Sequence, residues 1–249
     1  MNLKQNITSY GRFKGLPWFN LISNSTIFVG GAGGIGSHLA FQLARTGANI
    51  IIADVDTVGE ENLAGQLYGK EDIGKLKVKA ISDIITRLCG ENNITIIEEK
   101  IEKQFSMWQV LIPRCDIVCV GFDNLEARRL VYEEWRKNGK EHSLFIDGRM
   151  SVETGEVYTL AKNSNEEQFT GYENTYFPAH ERVEAPCSMK ATTHCGSLIA
   201  SLMTTQITNW FNNQNENNMP REVANINFHL PLMLFTNPVF KQTKVEELC

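Results

Sequence analysis

Gly31, Gly33 and Gly36 stand in GxGxxG register within GGAGGIGS, the run from Gly30 to Ser37. Glycines at that spacing leave backbone N–H groups unshielded by Cβ atoms. A phosphate can then approach closely where a helix begins and its dipole favours negative charge. The chemistry implied is nucleotide binding. STIFVG, a short β-branched apolar run, leads into the loop, and GIGSHLAFQLARTGA after it puts Ile35, Leu39, Leu43 and Ala44 on one helical face. NIIIADVD comes next as a near-continuous apolar run, suited to a parallel strand covered on both faces, and reaches Asp54. An acidic residue at that point accepts hydrogen bonds from ribose hydroxyls. The plainer alternative is a tight turn whose glycines serve packing, with Asp54 as an ordinary strand-end cap. On fold physics alone the first functional expectation is an NAD-dependent oxidoreductase.

The elements that must hold this loop alternate between strand and helix. After a polar stretch through Tyr68, the pattern predicts a helix around Lys75 to Leu88, a strand at NITIIEEKI, a short helix near Gln104 to Leu111 and a strand at DIVCVGFD. Beyond these the pattern predicts a helix over Leu125 to Lys137, a strand at SLFIDGRM and a hairpin VETGEVYTL with its turn at Thr154 and Gly155. Asn163 to Pro186 lacks sustained periodicity and reads as a long surface loop of the kind that serves as a lid. Ser197 to Phe211 reads as a largely buried helix, and ANINFHLPL as a last strand. The expected fold is α/β, a doubly wound, Rossmann-like, mainly parallel sheet with a C-terminal extension carrying a long crossover loop. With no internal repeat, one domain is expected over 1–249: an N-terminal segment 1–24, a core 25–161, a mobile crossover loop 162–188 and a C-terminal helix and strand 189–249.

Composition narrows the classes of function. With 24 Lys+Arg against 29 Asp+Glu, the net charge of −5 gives no drive toward nucleic acid or an anionic membrane. No stretch approaches the roughly 20 apolar residues that span a bilayer, and the first residues lack a signal-peptide core, so the cytoplasm is the expected compartment. Six cysteines without any CxxC pair argue for free thiols rather than disulfides or a structural zinc site. Cys115, Ile117 and Cys119 alternate onto one expected strand face. His38, His142, His180 and His229 show no metal-ligand spacing, the acidic Glu166, Glu167 and Glu173 read as a solvated loop, and the four tryptophans as core or interface anchors.

The residues after Asp54 change the functional expectation. DVDTVGEENLAGQLYGKEDIGKLKVKA, preceded by GGAGGIGS and succeeded by VGFDNLEAR, resembles the E1-like activating-enzyme family, which includes the ThiF and MoeB proteins and the adenylation domains of ubiquitin-activating enzymes. The resemblance is clear from about Thr26 to Arg149 and looser through the helix after Cys187; DGRMS and CSMKAT look most like bacterial and phage-borne ThiF-type proteins. It implies an ATP- and magnesium-dependent adenylation of the C-terminal carboxylate of a ubiquitin-like or sulfur-carrier protein ending in Gly-Gly. A homodimer and an E2-like or sulfur-donor partner come with it.

Residue by residue, the resemblance has the loop of Gly31, Gly33 and Gly34 cradle the phosphates, Asp54 hold the ribose, and Asn62 and Lys77 approach the phosphate chain. Lys77 would neutralise charge building on the α-phosphate; otherwise it is a solvated helix lysine between Lys75 and Lys79. Asp123, at the carboxyl end of an apolar strand, would hold magnesium, or else cap the helix starting near Leu125. The family's NLxRQ reads Asn62-Leu63-Ala64-Gly65-Gln66 here, without the arginine that contacts phosphate. Arg12 from a dimer partner would replace it; a weakened scaffold is the other reading. Cys187 matches the crossover-loop position of the family's reactive cysteine and is the expected thioester acceptor, or a packed thiol, with Cys195 beside His194 as its rival.

Overall fold

The computed structural model describes residues 11–90, 93–105, 107–176, 192–218, 221 and 223–237. Its strands are β1 (Thr26–Gly30), β2 (Asn49–Ala53), β3 (Ile94–Ile97), β4 (Ile117–Val120), β5 (Leu144–Ser151), β6 (Thr154–Ala161), β7 (Ile226–His229) and β8 (Leu234–Thr236). The helices are α1 (Phe19–Ile22), α2 (Gly36–Ala44), α3 (Lys77–Cys89), α4 (Trp108–Leu111), α5 (Leu125–Asn138), α6 (Glu166–Glu173) and α7 (Thr193–Asn213). One sheet in the order β3-β2-β1-β4-β5-β6-β7-β8 runs through the protein, parallel from β3 to β5 and antiparallel from β5 to β8. This is the expected doubly wound α/β sheet.

Alternation along the central strands splits the core. Ile27 and Val29 of β1 face a layer of α2, α3 and α7, while Phe28 between them faces α4 and α5. Both faces are covered, which is why β1, β2 and β4 read as nearly unbroken apolar runs. Within the second layer Trp135, Phe145, Phe169 and Tyr172 are fully buried, each removal from water worth roughly 1.5–3 kcal/mol for a large apolar side chain. Among the described residues no helix is long and apolar enough to cross a membrane.

Several expectations are corrected. The β5–β6 turn lies at Val152 and Glu153, two residues earlier than expected, and Val152 adopts a φ of 56° there; Thr154 and Gly155 already belong to β6. The stretch from Asn163 is not all loop, since it opens into α6 with Glu166 and Glu167 in the first turn of that helix. Asn165 caps it, its side-chain oxygen accepting from the Gln168 N–H at 2.9 Å while Gln168 returns an acceptor to the Asn165 N–H at 3.0 Å. Residues 177–186 of that stretch fall outside the described residues. Cys115 sits ahead of β4 in the turn that ends α4, donating Sγ–H to the Leu111 carbonyl, and packs with the α5 layer rather than with Ile117 and Cys119. The chain past β7 makes a short helical turn at Leu230–Leu232 and returns as β8, a strand the sequence pattern did not predict.

Candidate active site

Strand order reverses between β1 and β4, and in open α/β sheets the crevice at the carboxyl ends of those strands binds ligands. The glycine loop lies there. Gly31 takes a φ of 90° and its N–H bonds the Ala53 carbonyl at 2.8 Å, tying the loop to the end of β2. A Cβ at Gly36 would collide with the Gly31 carbonyl oxygen, so only glycine lets α2 start this close to β1. The open side of Gly33 meets no atom within 4 Å.

Asp54 is wired into this loop. Its Oδ2 accepts from the Ala32 N–H at 2.7 Å and its Oδ1 from the Asp56 N–H at 2.8 Å. Burial pushes the carboxyl above its ordinary value, opposed by those two N–H bonds and the charge of Lys77. A carboxylate has about four acceptor positions, so two remain for hydroxyls after these bonds.

Lys77 is the first residue of α3, a position where the helix dipole disfavours a cation. Its side chain is nonetheless only 9% exposed, against 42% for Lys75 and 51% for Lys79, which removes the solvated-lysine reading. The ammonium pairs with Asp56 Oδ2 at 2.8 Å, and the Lys77 N–H bonds the Asp56 carbonyl at the same distance. Tyr68 completes the cluster, its hydroxyl donating to the Ala32 carbonyl at 2.6 Å, with the Lys77 carbonyl at 3.3 Å. Neither Tyr68 nor Asp56 was expected from the sequence; the DxD spacing of Asp54 and Asp56 was the available signal.

Asn62 stands apart from this cluster. Its Oδ1 accepts from the Gly59 N–H at 2.9 Å and closes a short helical turn, which leaves its amide N–H groups and one oxygen lone pair to meet a ligand. In the segment that lacks the arginine, Ala64 is exposed and Gly65 buried, and the Ala64 carbonyl accepts from the Thr193 hydroxyl. The start of α7 therefore docks on this segment. It also docks on the glycine loop, because a Cβ at Gly196 would strike the Gly34 carbonyl.

Asp123 lies just beyond β4, exposed. The cap of α5 is Asn124, whose Oδ1 accepts from the N–H groups of Glu126 at 2.8 Å and Ala127 at 3.4 Å. The capping alternative for Asp123 thus falls away, and among the described residues its carboxylate makes no hydrogen bond or ion pair. That fits a magnesium ion, which binds through one or two carboxylates and takes its other ligands from phosphate and water. No group of three His, Cys, Asp or Glu gathers into an all-protein metal cage among the described residues.

Arg12 is exposed and makes no side-chain bond among the described residues. Cys187 lies outside them. Cys195 is buried in α7 with its Sγ 3.6 Å from the Thr154 carbonyl, and burial with the nearby Glu153 pushes its thiol up to about 11. The rival thioester cysteine is a packed thiol. Beyond β4 the structure gathers a second polar cluster, Arg128, Asp147, Arg149 and Tyr172, for which the sequence pattern gave no signal.

The model of the ThiF family matches residues 8–246. SUMO-activating enzyme subunit 2 of Dictyostelium discoideum is 35% identical over 119 residues, covering 47% of this chain and 18% of that protein. The probable molybdopterin-synthase adenylyltransferase of Gracilaria tenuistipitata var. liui is 32% identical over 118 residues, covering 47% of this chain and 32% of its own length. The chain thus spans less than a third of either relative. Among solved structures, E. coli MccB with ATP is similar at a TM-score of 0.70 and 17% identity, over 92% of this chain and 68% of that one. That likeness is one of fold.

Proposed function

The chain belongs to the ThiF family, and from that premise we propose that it is an ATP-dependent adenylyltransferase. Its substrate is the C-terminal carboxylate of a ubiquitin-like or sulfur-carrier protein ending in Gly-Gly. The carboxylate attacks the α-phosphate of ATP, an acyl-phosphate bond forms as the bond to pyrophosphate breaks, and an acyl-adenylate results. The carrying observation is the convergence of Asp54 and Lys77 on one glycine loop, tied by the Ala32 N–H, the Asp56 carboxylate and the Tyr68 hydroxyl. The names of the two relatives, an adenylyltransferase and an activating-enzyme subunit, support the reading.

Each residue then has one task. Gly33 and Gly34 present backbone N–H groups to the phosphates, Gly31, whose N–H is held by the Ala53 carbonyl, shapes the turn of the cradle, and Asp54 takes the ribose hydroxyls on its spare lone pairs. Lys77 leaves Asp56 for the α-phosphate, where a preorganised cation offsets charge gathering in the transition state. The amide of Asn62 donates to the phosphate chain. Asp123 holds a magnesium ion, which when bound would screen the departing pyrophosphate. Arg12 enters the site of a second copy in a homodimer, in place of the arginine absent at Gly65. The Cys187 thiolate attacks the acyl-adenylate, the acyl–phosphate bond breaks with release of AMP, and the resulting thioester is delivered to an E2-like or sulfur-donor partner; the cytoplasm is the compartment.

Labelled pyrophosphate should exchange into ATP when a carrier protein ending in Gly-Gly is present, because acyl-adenylate formation is reversible on the enzyme. Asp123→Ala should abolish that exchange. Cys187→Ser should keep it while losing any adduct that a reducing agent cleaves, and full exchange in the Asp123 variant would sink the assignment of that residue. One observation favours a second reading, a nucleotide-binding scaffold without turnover: the arginine slot is Gly65, and the neighbouring Ala64 carbonyl is already engaged by Thr193. ATP binding without exchange would be its signature. A dehydrogenase would require NAD to stabilise the protein where ATP does not.

A further inference from the structure

Arg149, two residues before the end of β5, has one end of its guanidinium unused. Asp147, fully buried, takes a bond from Arg128 on Oδ1, and on Oδ2 it takes Arg149 Nε at 2.7 Å and the Tyr172 hydroxyl at 3.0 Å. Arg128 donates a further bond to the Gly148 carbonyl at 2.8 Å, and Arg149 Nη1 reaches the Thr175 carbonyl at 3.3 Å. Arg149 Nη2 is buried and has no acceptor among the described residues. The rings of Tyr158, Tyr172 and Tyr176 hold the guanidinium at 4.6, 5.4 and 5.3 Å. The buried guanidinium of Arg128 and the largely buried one of Arg149 therefore share one buried carboxylate. Glu156, opposite Arg149 in the strand register, hydrogen-bonds Tyr158 and forms no ion pair with Arg149. A charged donor left unmade in such a place is costly, and a ligand that supplies the acceptor recovers that cost.

Position says which ligand. Across neighbouring strands, about 4.8 Å apart, the order is β2 with Asp54, β1 with the glycine loop, β4 with Asp123, and β5 with Arg149. Val120 and Asp147 are register partners; Asp123 lies three residues past the first and Arg149 two past the second. Laid over these strands, the reacting groups run ribose, phosphates, cation and then the acid to be activated. Resting on the adenylation reading above, we infer that Arg149 forms a subsite for the C-terminal carboxylate of the acyl substrate, donating from Nη2 and holding it beside Asp123 before attack. The side chain keeps 15% of its surface open although Nη2 itself is covered, so the chain end must displace what covers that nitrogen as it docks, while Asp147 holds Nε.

The test compares a short fluorescent peptide ending in Gly-Gly with a free carboxylate against the same peptide as its C-terminal amide. Fluorescence anisotropy on the full chain, without ATP, reads the two affinities. The acid should bind at least about tenfold more tightly than the amide, the worth of one charge-assisted hydrogen bond. Arg149→Gln should bring that ratio to about one, whereas Lys79→Ala, at an exposed lysine of α3, should leave it intact. Arg149→Lys, which keeps the charge but not the fork, should cut it at least about threefold and serves if the glutamine variant fails to fold. An acid-to-amide ratio near one in the wild type, or an undiminished ratio in the variants, overturns the subsite. Pyrophosphate exchange on the same proteins separates the two ideas. Exchange with an unmoved ratio leaves adenylation standing and removes the subsite; a ratio that depends on Arg149 without exchange does the reverse.

Discussion

Lys77 is held at the start of α3 against the helix dipole and largely out of water, a placement that costs stability and that the proposed phosphate contact would explain. Lys77→Ala should lower pyrophosphate exchange by about 10²-fold or more, the usual effect of removing one preorganised charge-stabilising group. Lys79→Ala, two residues on and 51% exposed, should leave it unchanged. Asp56 pairs with Lys77, so in the proposed mechanism nucleotide binding exchanges anions on one ammonium. Because Asp56 is 63% exposed and the pair is screened, Asp56→Asn should tighten ATP binding only about two- to five-fold in a calorimetric titration. Asp54 makes a prediction in pH. Burial raises its folded carboxyl, so the protonated form favours folding; the contribution is present below the ordinary carboxylate range and lost as pH rises through the raised value. Ribose binding has the opposite need, an ionised acceptor. ATP affinity should therefore weaken on acidification at a higher pH than an exposed aspartate would give, and Asp54→Asn should bind weakly with no such limb.

The start of α7 is where element packing meets chemistry. Gly196 lets the helix touch the Gly34 carbonyl, and Thr193 holds the segment that carries Asn62. Gly196→Val should push α7 off the glycine loop, costing about 1–3 kcal/mol in denaturant unfolding and weakening ATP binding in the same variant. Asn165→Ala should remove the cap of α6 for about 1 kcal/mol and leave ATP binding alone, since α6 lies in the other layer. The same elements show what was legible in the sequence. β1, β2, β4 and the helices between them emerge from apolar runs bounded by glycine, because burial on both faces leaves a strong pattern. The α6 helix hid in a polar stretch, and its capping pair Asn165 and Gln168 was the unread signal. The loop glycines and Asp54 were legible because they are local to one βαβ unit. Asp147, Arg128, Arg149 and Tyr172 were not, since apart from the Asp147–Arg149 bond within β5 their bonds span 19 to 26 residues.

At the scale of the molecule, ATP should raise the melting temperature by several degrees and NAD should not. Ligand at 100 times Kd adds about 2.7 kcal/mol, and each kcal/mol moves a domain of this size by about 2–4 °C. A site shared between copies makes a sharper demand. Arg12→Ala and Asp123→Ala chains, each impaired alone, should recover part of the exchange activity when mixed, since one heterodimer site would be complete; mixed chains with verified exchange and no recovery would remove Arg12 from the mechanism. The far edge of the sheet sets a condition on all such mixing. Leu232, Met233, Leu234 and Phe235 are 64, 76, 54 and 50% exposed along the turn into β8, and no charged residue occurs from 223 to 237. An uncharged apolar margin of this kind is adhesive toward any extended chain. Preparations should accordingly turn turbid on concentration, and Leu234→Lys should suppress light scattering with no fall in melting temperature.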